Sequence, residues 1–177
     1  MIRRTWLQVF AASILLFGGV TVFASQESIE YKSKNKGFSF RAPSTWDIKE
    51  RAGGMEVIAA APLQGESKDQ FRPKVTVTVE VVPHDMTLDQ CIPGRMEKTR
   101  NQIKDFKVHR LGRQVVSHAA AKWWNISGRA GTVDIKGVLL IVVKNDKAFT
   151  ITYVSAPAQY SLYLDTFQDI VGSLMIE

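Results

Sequence analysis

Short runs of alternating hydrophobic and polar residues recur along the chain and predict β-strands. In the clearest run, residues 75–82, valines alternate with Thr76, Thr78 and Glu80. Because successive side chains of a strand point to opposite sides of a sheet, this run predicts one buried face and one wetter face. Its β-branched residues also suit a pleated surface. Residues 75–82 are therefore expected to form a half-buried strand.

Residues 37–48 repeat this alternation on both sides of a corner. Phe38 and Phe40 share one face of an extended chain, and Trp46 resumes the pattern after the break. Pro43 cannot donate a hydrogen bond to a neighbouring strand, so the first strand is expected to end there. Each buried ring would remove about 150–250 Å² of surface from water. The stretch predicts two short strands that direct three rings into one core.

The same pattern predicts further strands separated by turns and loops. They are expected over residues 29–32, 55–61, 108–116, 119–128, 133–143 and 149–154. The sequence Asn145-Asp146-Lys147 predicts a tight hairpin turn between the last two strands. Residues 63–71 predict a mobile polar loop.

Two amphipathic helices are predicted as well. The first begins at Thr87, which has Gln90 at the spacing of a capping box. Because Pro93-Gly94 interrupts its pattern, it either kinks near Leu88–Ile92 or starts at Pro93. Its apolar stripe comprises Leu88, Ile92, Met96, Thr99, Ile103 and Phe106. The second helix follows Pro157. Its stripe comprises Tyr160, Tyr163, Leu164, Phe167, Ile170, Val171 and Leu174.

The order of these elements predicts the fold class. Consecutive strands without intervening helices favour antiparallel neighbours, so the chain is expected to be α+β. We expect an antiparallel β-sheet flanked by two amphipathic helices, one on each face, as an α/β/α sandwich. Residues 29–177 would form this single domain, after a flexible lead-in over residues 25–28.

The N-terminal sequence predicts export. Two arginines precede an apolar run over residues 7–23, and Val22 and Ala24 have the spacing that signal peptidase requires. Residues 1–24 are therefore predicted to be a signal peptide. The mature protein would be periplasmic or secreted, with no stable transmembrane segment. An uncleaved anchor is the alternative, since the apolar run approaches the roughly 17–25 residues that span a bilayer.

Size, charge and cysteine content narrow the class of protein. Removal of 24 of the 177 residues leaves 153, enough for one domain with its own core. The full chain has a net charge of +6, and the predicted signal peptide contributes two arginines and no acidic residue, so the mature chain would carry +4. This moderate charge does not indicate a nucleic-acid-binding protein. The one cysteine, Cys91, excludes an intrachain disulfide and is expected to be a small buried residue.

Basic residues concentrate between the first helix and the strand that follows it. Seven cations occur there against only Glu97 and Asp105: Arg95, Lys98, Arg100, Lys104, Lys107, Arg110 and Arg113. Such a local excess suits an acidic protein partner or an anionic envelope surface. The alternative is an ordinary solvated helix face followed by an exposed strand.

Trp123 and Trp124 offer a second candidate surface. As neighbours in a strand, their rings must point to opposite sides of the sheet. Trp123 is therefore a possible surface aromatic for partner binding. Helices on both faces of the sheet would instead cover both rings, and this is the favoured arrangement.

The chain carries no recognisable catalytic or metal-binding motif. His84, His109 and His118 lack metal-ligand spacing, and they are expected to be solvated or hydrogen-bonded. The sequence contains no serine-hydrolase elbow, zinc-protease motif or phosphate-binding glycine loop. No catalytic residue, metal or cofactor is predicted.

The segment GFSFRAPSTW resembles the opening motif Gly-Phe-x-x-x-x-Pro-x-x-Trp of the PsbP-like family. The resemblance continues through residues 75–82, the turn at residues 145–147 and the closing sequence Phe167-x-x-Ile170-x-x-Ser173-Leu174. The bacterial DcrB-like periplasmic proteins are similar. Members of this group have an antiparallel sheet between helices and mostly act as binding or assembly factors, and the resemblance implies the same here.

These observations together predict a non-enzymatic exported binding or assembly factor of the bacterial cell envelope. One alternative is a secreted effector or virulence-associated envelope protein on the same scaffold. Another is a small hydrolase with an unrecognised site.

Overall fold

A computed structural model describes residues 27–51, 56–63 and 71–177. The predicted signal peptide, the start of the lead-in and residues 64–70 of the predicted loop lie outside the described residues. The described strands are β1 Ser28–Lys32, β2 Phe38–Pro43, β3 Asp47–Arg51, β4 Glu56–Ala60, β5 Lys74–Val81, β6 Lys104–Val116, β7 Ala119–Ala130, β8 Val133–Lys144, β9 Lys147–Ser155 and β10 Met175–Ile176. The helices are α1 Leu88–Gln102 and α2 Tyr160–Gly172, with a short 3-10 turn at Pro157–Gln159 before α2.

Seven of these strands form one antiparallel sheet in the order β3-β4-β5-β9-β8-β7-β6. The prediction of an α+β fold built on antiparallel strands with two helices is confirmed. The predicted β8–β9 hairpin is present, with Lys147 already in β9. Its turn residues Asn145 and Asp146 both have positive φ. Such turns match the right-handed twist of the paired strands.

A second, three-stranded sheet has the order β1-β2-β10, so the prediction of one sheet was incomplete. β2 belongs to this small sheet and β3 to the large one, because the chain turns sharply between them. The Trp46 amide donates to the Pro43 carbonyl at 2.9 Å and closes this corner. The two-residue strand β10 was not predicted from the sequence.

One side of the large sheet carries the main hydrophobic core. The small sheet and α2 cover this side, and Phe38, Phe40 and Trp46 all lie in the same buried cluster, as predicted. The rings of Tyr153 and Phe167 stack there with centroids 5.5 Å apart, which joins β9 to α2. The α/β/α layering is therefore only part of the arrangement, since a second sheet shares this side with α2.

A smaller hydrophobic cluster on the opposite side of the large sheet packs against α1. The predicted capping box is present: the Gln90 amide donates to Thr87 Oγ1, and the Thr87 amide donates to Gln90 Oε1. The helix begins at Leu88 and includes Pro93, so a start at Pro93 is wrong.

The buried line of α1 differs from the predicted stripe. Its buried residues are Cys91, Arg95 and Thr99, which recur every four positions. The predicted apolar residues of the helix pack only partly against the cluster, and Phe106 lies beyond the helix in β6. The predicted stripe therefore faces the cluster, and Thr99 belongs to both sets, but burial of Arg95 was not predicted and is permitted by its ion pair with Glu80.

Candidate functional site

Strand β6 lies at the edge of the large sheet and carries most of the predicted basic stretch. Among the described strands only β7 pairs with it. Lys104, Lys107, Arg110 and Arg113 are all exposed along it. The register shifts twice near its start, which marks irregular pairing of the kind that β-bulges produce.

The cations of β6 do not share one face. Lys107 lies opposite Ser127, on the α2 side, whereas Arg113 lies opposite Lys122, on the α1 side. His109, in the irregular segment, has its Nε2 2.7 Å from Ser127 Oγ. The positive charge therefore surrounds the open edge of β6 rather than one flat face.

Large apolar side chains are also exposed on β6. Val108, Leu111 and Val115 are 44%, 69% and 73% exposed. Exposed single apolar residues are common, but three of them near cations on one edge strand resemble a binding surface. We call β6 with these cations and apolar residues the basic edge.

Three of the seven predicted partner-binding residues lie outside the basic edge. Arg95 is only 9% exposed and forms an ion pair with Glu80, so its prediction as an exposed contact was wrong. Lys98 Nζ lies 2.7 Å from the same carboxylate. Arg100 is exposed on α1, with its guanidinium carbon 6.0 Å from the centre of the Phe106 ring.

Trp123 is not an exposed aromatic anchor. Its ring is half-buried, packs against the main core and lies over Gly112 of β6. A Cβ at Gly112 would lie 2.4 Å from this ring, so the glycine provides its space. Trp124 is buried on the opposite side, as the alternation predicted. Both rings are therefore covered at least in part, which agrees better with the favoured expectation than with an exposed Trp123.

A groove of about 300 Å³ lies beside α1. It exists because α1 packs over β6, β7 and β8, so the same side of β4, β5 and β9 stays open beside the helix. Its floor holds two cross-strand threonine pairs, Thr76 with Thr152 and Thr78 with Thr150. Arg95, Lys98, Thr99 and Gln102 of α1 form one wall.

The sequence carried a partial signal for this groove. Thr76, Thr78 and Glu80 were assigned to the wetter face of β5, and Thr150 and Thr152 alternate in the same way along β9. Only the β5–β9 pairing makes these threonines neighbours. The strand register therefore creates a site that no single segment displays.

Solved structures with a similar fold include that of cyanobacterial PsbP (CyanoP) from Synechocystis sp. PCC 6803. It has a TM-score of 0.66 and 16% identity, and the match covers 90% of this chain and 96% of that one. The chain has a PsbP-like fold.

Other structures share this PsbP-like fold. LpqN, involved in cell envelope biogenesis of Mycobacterium tuberculosis, matches with a TM-score of 0.64 and 11% identity over 85% of this chain and 90% of that one. The Saccharomyces cerevisiae Ran-binding protein Mog1p matches with a TM-score of 0.59 and 9% identity over 86% and 96%. No protein-family model and no curated protein matches the sequence.

Glu80 lies at the groove wall of the PsbP-like domain and is engaged by two cations. Burial opposes its charge, but hydrogen bonds from Arg95 and Lys98 outweigh this effect and hold the pKa of Glu80 below its usual range. Burial likewise opposes the charge of Arg95, and the hydrogen bond from its guanidinium to Glu80 more than compensates, so the pKa of Arg95 is raised. The stabilisation from Glu80 is therefore present above the pKa of an unfolded glutamate and is lost as the pH falls through the lowered folded value.

Within the described part of the PsbP-like domain, no three histidine, cysteine, aspartate or glutamate side chains are placed to hold a metal ion. His84 Nδ1 lies 3.0 Å from Asp146 Oδ1 at the surface, and His118 is exposed in the β6–β7 turn. Cys91, in α1, is buried as expected. Neither helix that the described ranges contain has the length and apolarity needed to cross a bilayer.

Proposed function

We propose that this protein is a non-enzymatic exported binding or assembly factor of the bacterial cell envelope, and that it binds an acidic protein partner through the basic edge. The observation that carries the proposal is the thirteen-residue β6, which combines an unpaired edge among the described strands with exposed cations and apolar residues. Two proteins of similar fold support it, since one is described as involved in cell envelope biogenesis and the other as Ran-binding.

The charge of β6 favours an acidic partner over a second copy of the chain. Antiparallel pairing of two β6 strands would bring their cations together, and like charges opposite each other destabilise a strand pair. Lysine on an edge strand also discourages indiscriminate pairing. An extended acidic segment could instead hydrogen-bond to the open edge and neutralise the cations. We infer that the partner contributes such a segment.

Site-specific photo-crosslinking tests this surface. A photoreactive residue at Leu111 of β6 is expected to form an adduct with an acidic envelope protein, identified by mass spectrometry. Reversal of Lys104, Lys107, Arg110 and Arg113 to glutamate should reduce this adduct about tenfold or more, because association driven by charge depends on these cations. Each reversal should change the free energy of unfolding by about 0.5 kcal/mol or less.

Two matched controls accompany this experiment. Leu162 of α2 is 67% exposed, close to the 69% of Leu111, and a photoreactive residue there should give no such adduct. Reversal of Lys32, Lys34, Lys36 and Arg41 changes the net charge equally but lies near the small sheet, and should leave the Leu111 adduct intact. Equal adducts at both leucines, or equal loss with both reversals, would refute the basic edge. If the protein bound anionic vesicles, lost that binding when the four β6 cations were reversed, and formed no protein adduct at Leu111, a membrane surface would be the partner instead.

Export is tested by the N-terminus of the mature protein. The arginine pair, the apolar run and the Val22-Phe23-Ala24 ending lead us to expect Ser25 as the first residue after envelope fractionation. Replacement of Ala24 by a bulky residue such as tyrosine should block cleavage at this site. A product that begins at Met1 and needs detergent for extraction would mean an anchored protein.

A further inference from the structure

We propose that the groove beside α1 binds a small hydroxylated oxyanion, namely a sugar that carries a carboxylate or phosphate group. This site is separate from the basic edge, and the inference goes beyond the proposed function. The arrangement of charge, unpaired hydroxyls and apolar walls within the groove carries the argument.

The charges in the groove favour an anion. Four cations line it, Arg51, Lys74, Arg95 and Lys98, against the carboxylates of Glu56 and Glu80. Both oxygens of the Glu80 carboxylate are engaged, one by Arg95 and the other by Lys98. This shared carboxylate leaves the three-residue group with a net positive charge. An anion entering the groove would therefore meet two more cations than carboxylates.

Arg95 gives this positive end a fixed geometry. Its side chain is held in the wall of α1 by burial and by the ion pair with Glu80, so little conformational entropy remains to be lost on binding. A guanidinium has five N–H donors and an ammonium three. Arg95 and Lys98 therefore have more donors than a single carboxylate can accept. An oxyanion could take those that remain.

The floor of the groove suits hydroxyl groups. Thr76, Thr78, Thr150 and Thr152 are half-buried, and none of their hydroxyls hydrogen-bonds to another residue within the described ranges. Each hydroxyl can donate one hydrogen bond and accept two. Their methyl groups stand beside them and can contact the C–H bonds of a sugar ring. A polyhydroxylated ligand satisfies both kinds of group at once.

The size and the apolar end of the groove point to a small ring. Its volume of about 300 Å³ lies at the lower end of the range for small-molecule pockets. Phe71, Ile58 and Val154 form the apolar end. Lys74 Nζ lies 5.6 Å from the centre of the Phe71 ring, which brings a cation and an aromatic face together. A monosaccharide that carries one acidic group fits these dimensions.

Isothermal titration of the purified protein with glucuronate, glucose 6-phosphate and glucose tests the proposal. Both anionic sugars are expected to bind at least about tenfold more tightly than glucose, because an oxyanion meets the unpaired donors. The tighter of the two shows whether the acidic group is a carboxylate or a phosphate. The double variant Thr76→Val and Thr152→Val should weaken both by about tenfold, since it removes two hydroxyls. Valine keeps the β-branched shape that the strands favour, so folding should be retained.

Matched variants keep the outcome interpretable. Lys74→Gln should reduce the preference for anionic sugars over glucose, whereas Lys136→Gln, an exposed lysine of β8, should not. Thr166→Val on α2 controls for the loss of a threonine hydroxyl elsewhere. No saturable binding up to about 10 mM of either anionic sugar would overturn the proposal. So would equal affinity for glucose, or tighter binding of a short glutamate peptide than of both sugars, which would make the groove a peptide site.

Discussion

Replacement of Trp46 by alanine is expected to lower the free energy of unfolding by about 3–5 kcal/mol. Trp46 is only 4% exposed, and it lies in the main core between the small sheet and α2. Its ring meets the Tyr163 ring edge-on with centroids 5.9 Å apart. Alanine would remove this contact and leave a cavity at the corner that joins the two sheets. Denaturant titration measures the loss.

Leu162→Ala is the control for Trp46→Ala. Leu162 belongs to the same helix as Tyr163 but is exposed, so its truncation should change stability by about 0.5 kcal/mol or less. A loss below about 1 kcal/mol for Trp46→Ala would contradict the central packing role assigned to this ring.

Gly137→Ala should also destabilise the protein strongly, by about 3 kcal/mol or more, through overpacking. Gly137 lies in β8 opposite Val154 of β9, inside the large sheet. A Cβ at this position would lie 2.1 Å from the Tyr153 carbonyl oxygen, an atom of the neighbouring backbone. A side chain could rotate away from such a contact, but a paired strand would have to move. The midpoint of urea unfolding should therefore fall well below that of the wild type.

Gly94→Ala makes the same chemical change but is expected to raise the free energy of unfolding. Gly94 lies in α1, and a Cβ there would meet no atom within 4 Å. Alanine restricts the unfolded chain and favours the helix, so this variant should gain about 0.5–1 kcal/mol. Equal effects of the two substitutions would show that the Gly137 contact relaxes without cost.

The sequence predicted the local elements well because their causes are local. The alternation of residues 75–82 corresponds to β5, where Val75, Val77 and Val79 are buried and the threonines line the groove. Val81, at the end of the strand, departs from the pattern and is 81% exposed. The Thr87–Gln90 capping box and the positive-φ turn at Asn145 and Asp146 each depend on a few adjacent residues. Phe38 and Phe40 reach one core because strand alternation places both rings on the same side of β2. Trp46 lies between β2 and β3, outside both strands, and joins that core through the corner at Pro43.

The candidate sites were predicted less well, because the type of a residue does not report its neighbours. Arg95 was counted among exposed cations, yet Glu80 of β5 pairs with it and permits its burial. The sequence separation between these two residues hides the contact. The four cations of β6 were identified correctly as an exposed group, but their distribution on both sides of an edge strand was not.

The sequence by itself determined most of the strands, the capping box of α1, the hairpin turn and the aromatic core of this protein. Each follows from short-range periodicity or from the hydrogen bonding of neighbouring residues. Only the tertiary structure decided that β2 and β3 belong to different sheets, that β6 lies at an edge, and that α1 leaves a threonine-lined groove open. These features depend on which strands pair and where a helix packs. That arrangement is selected by the burial of apolar surface between distant segments, and no local pattern specifies it.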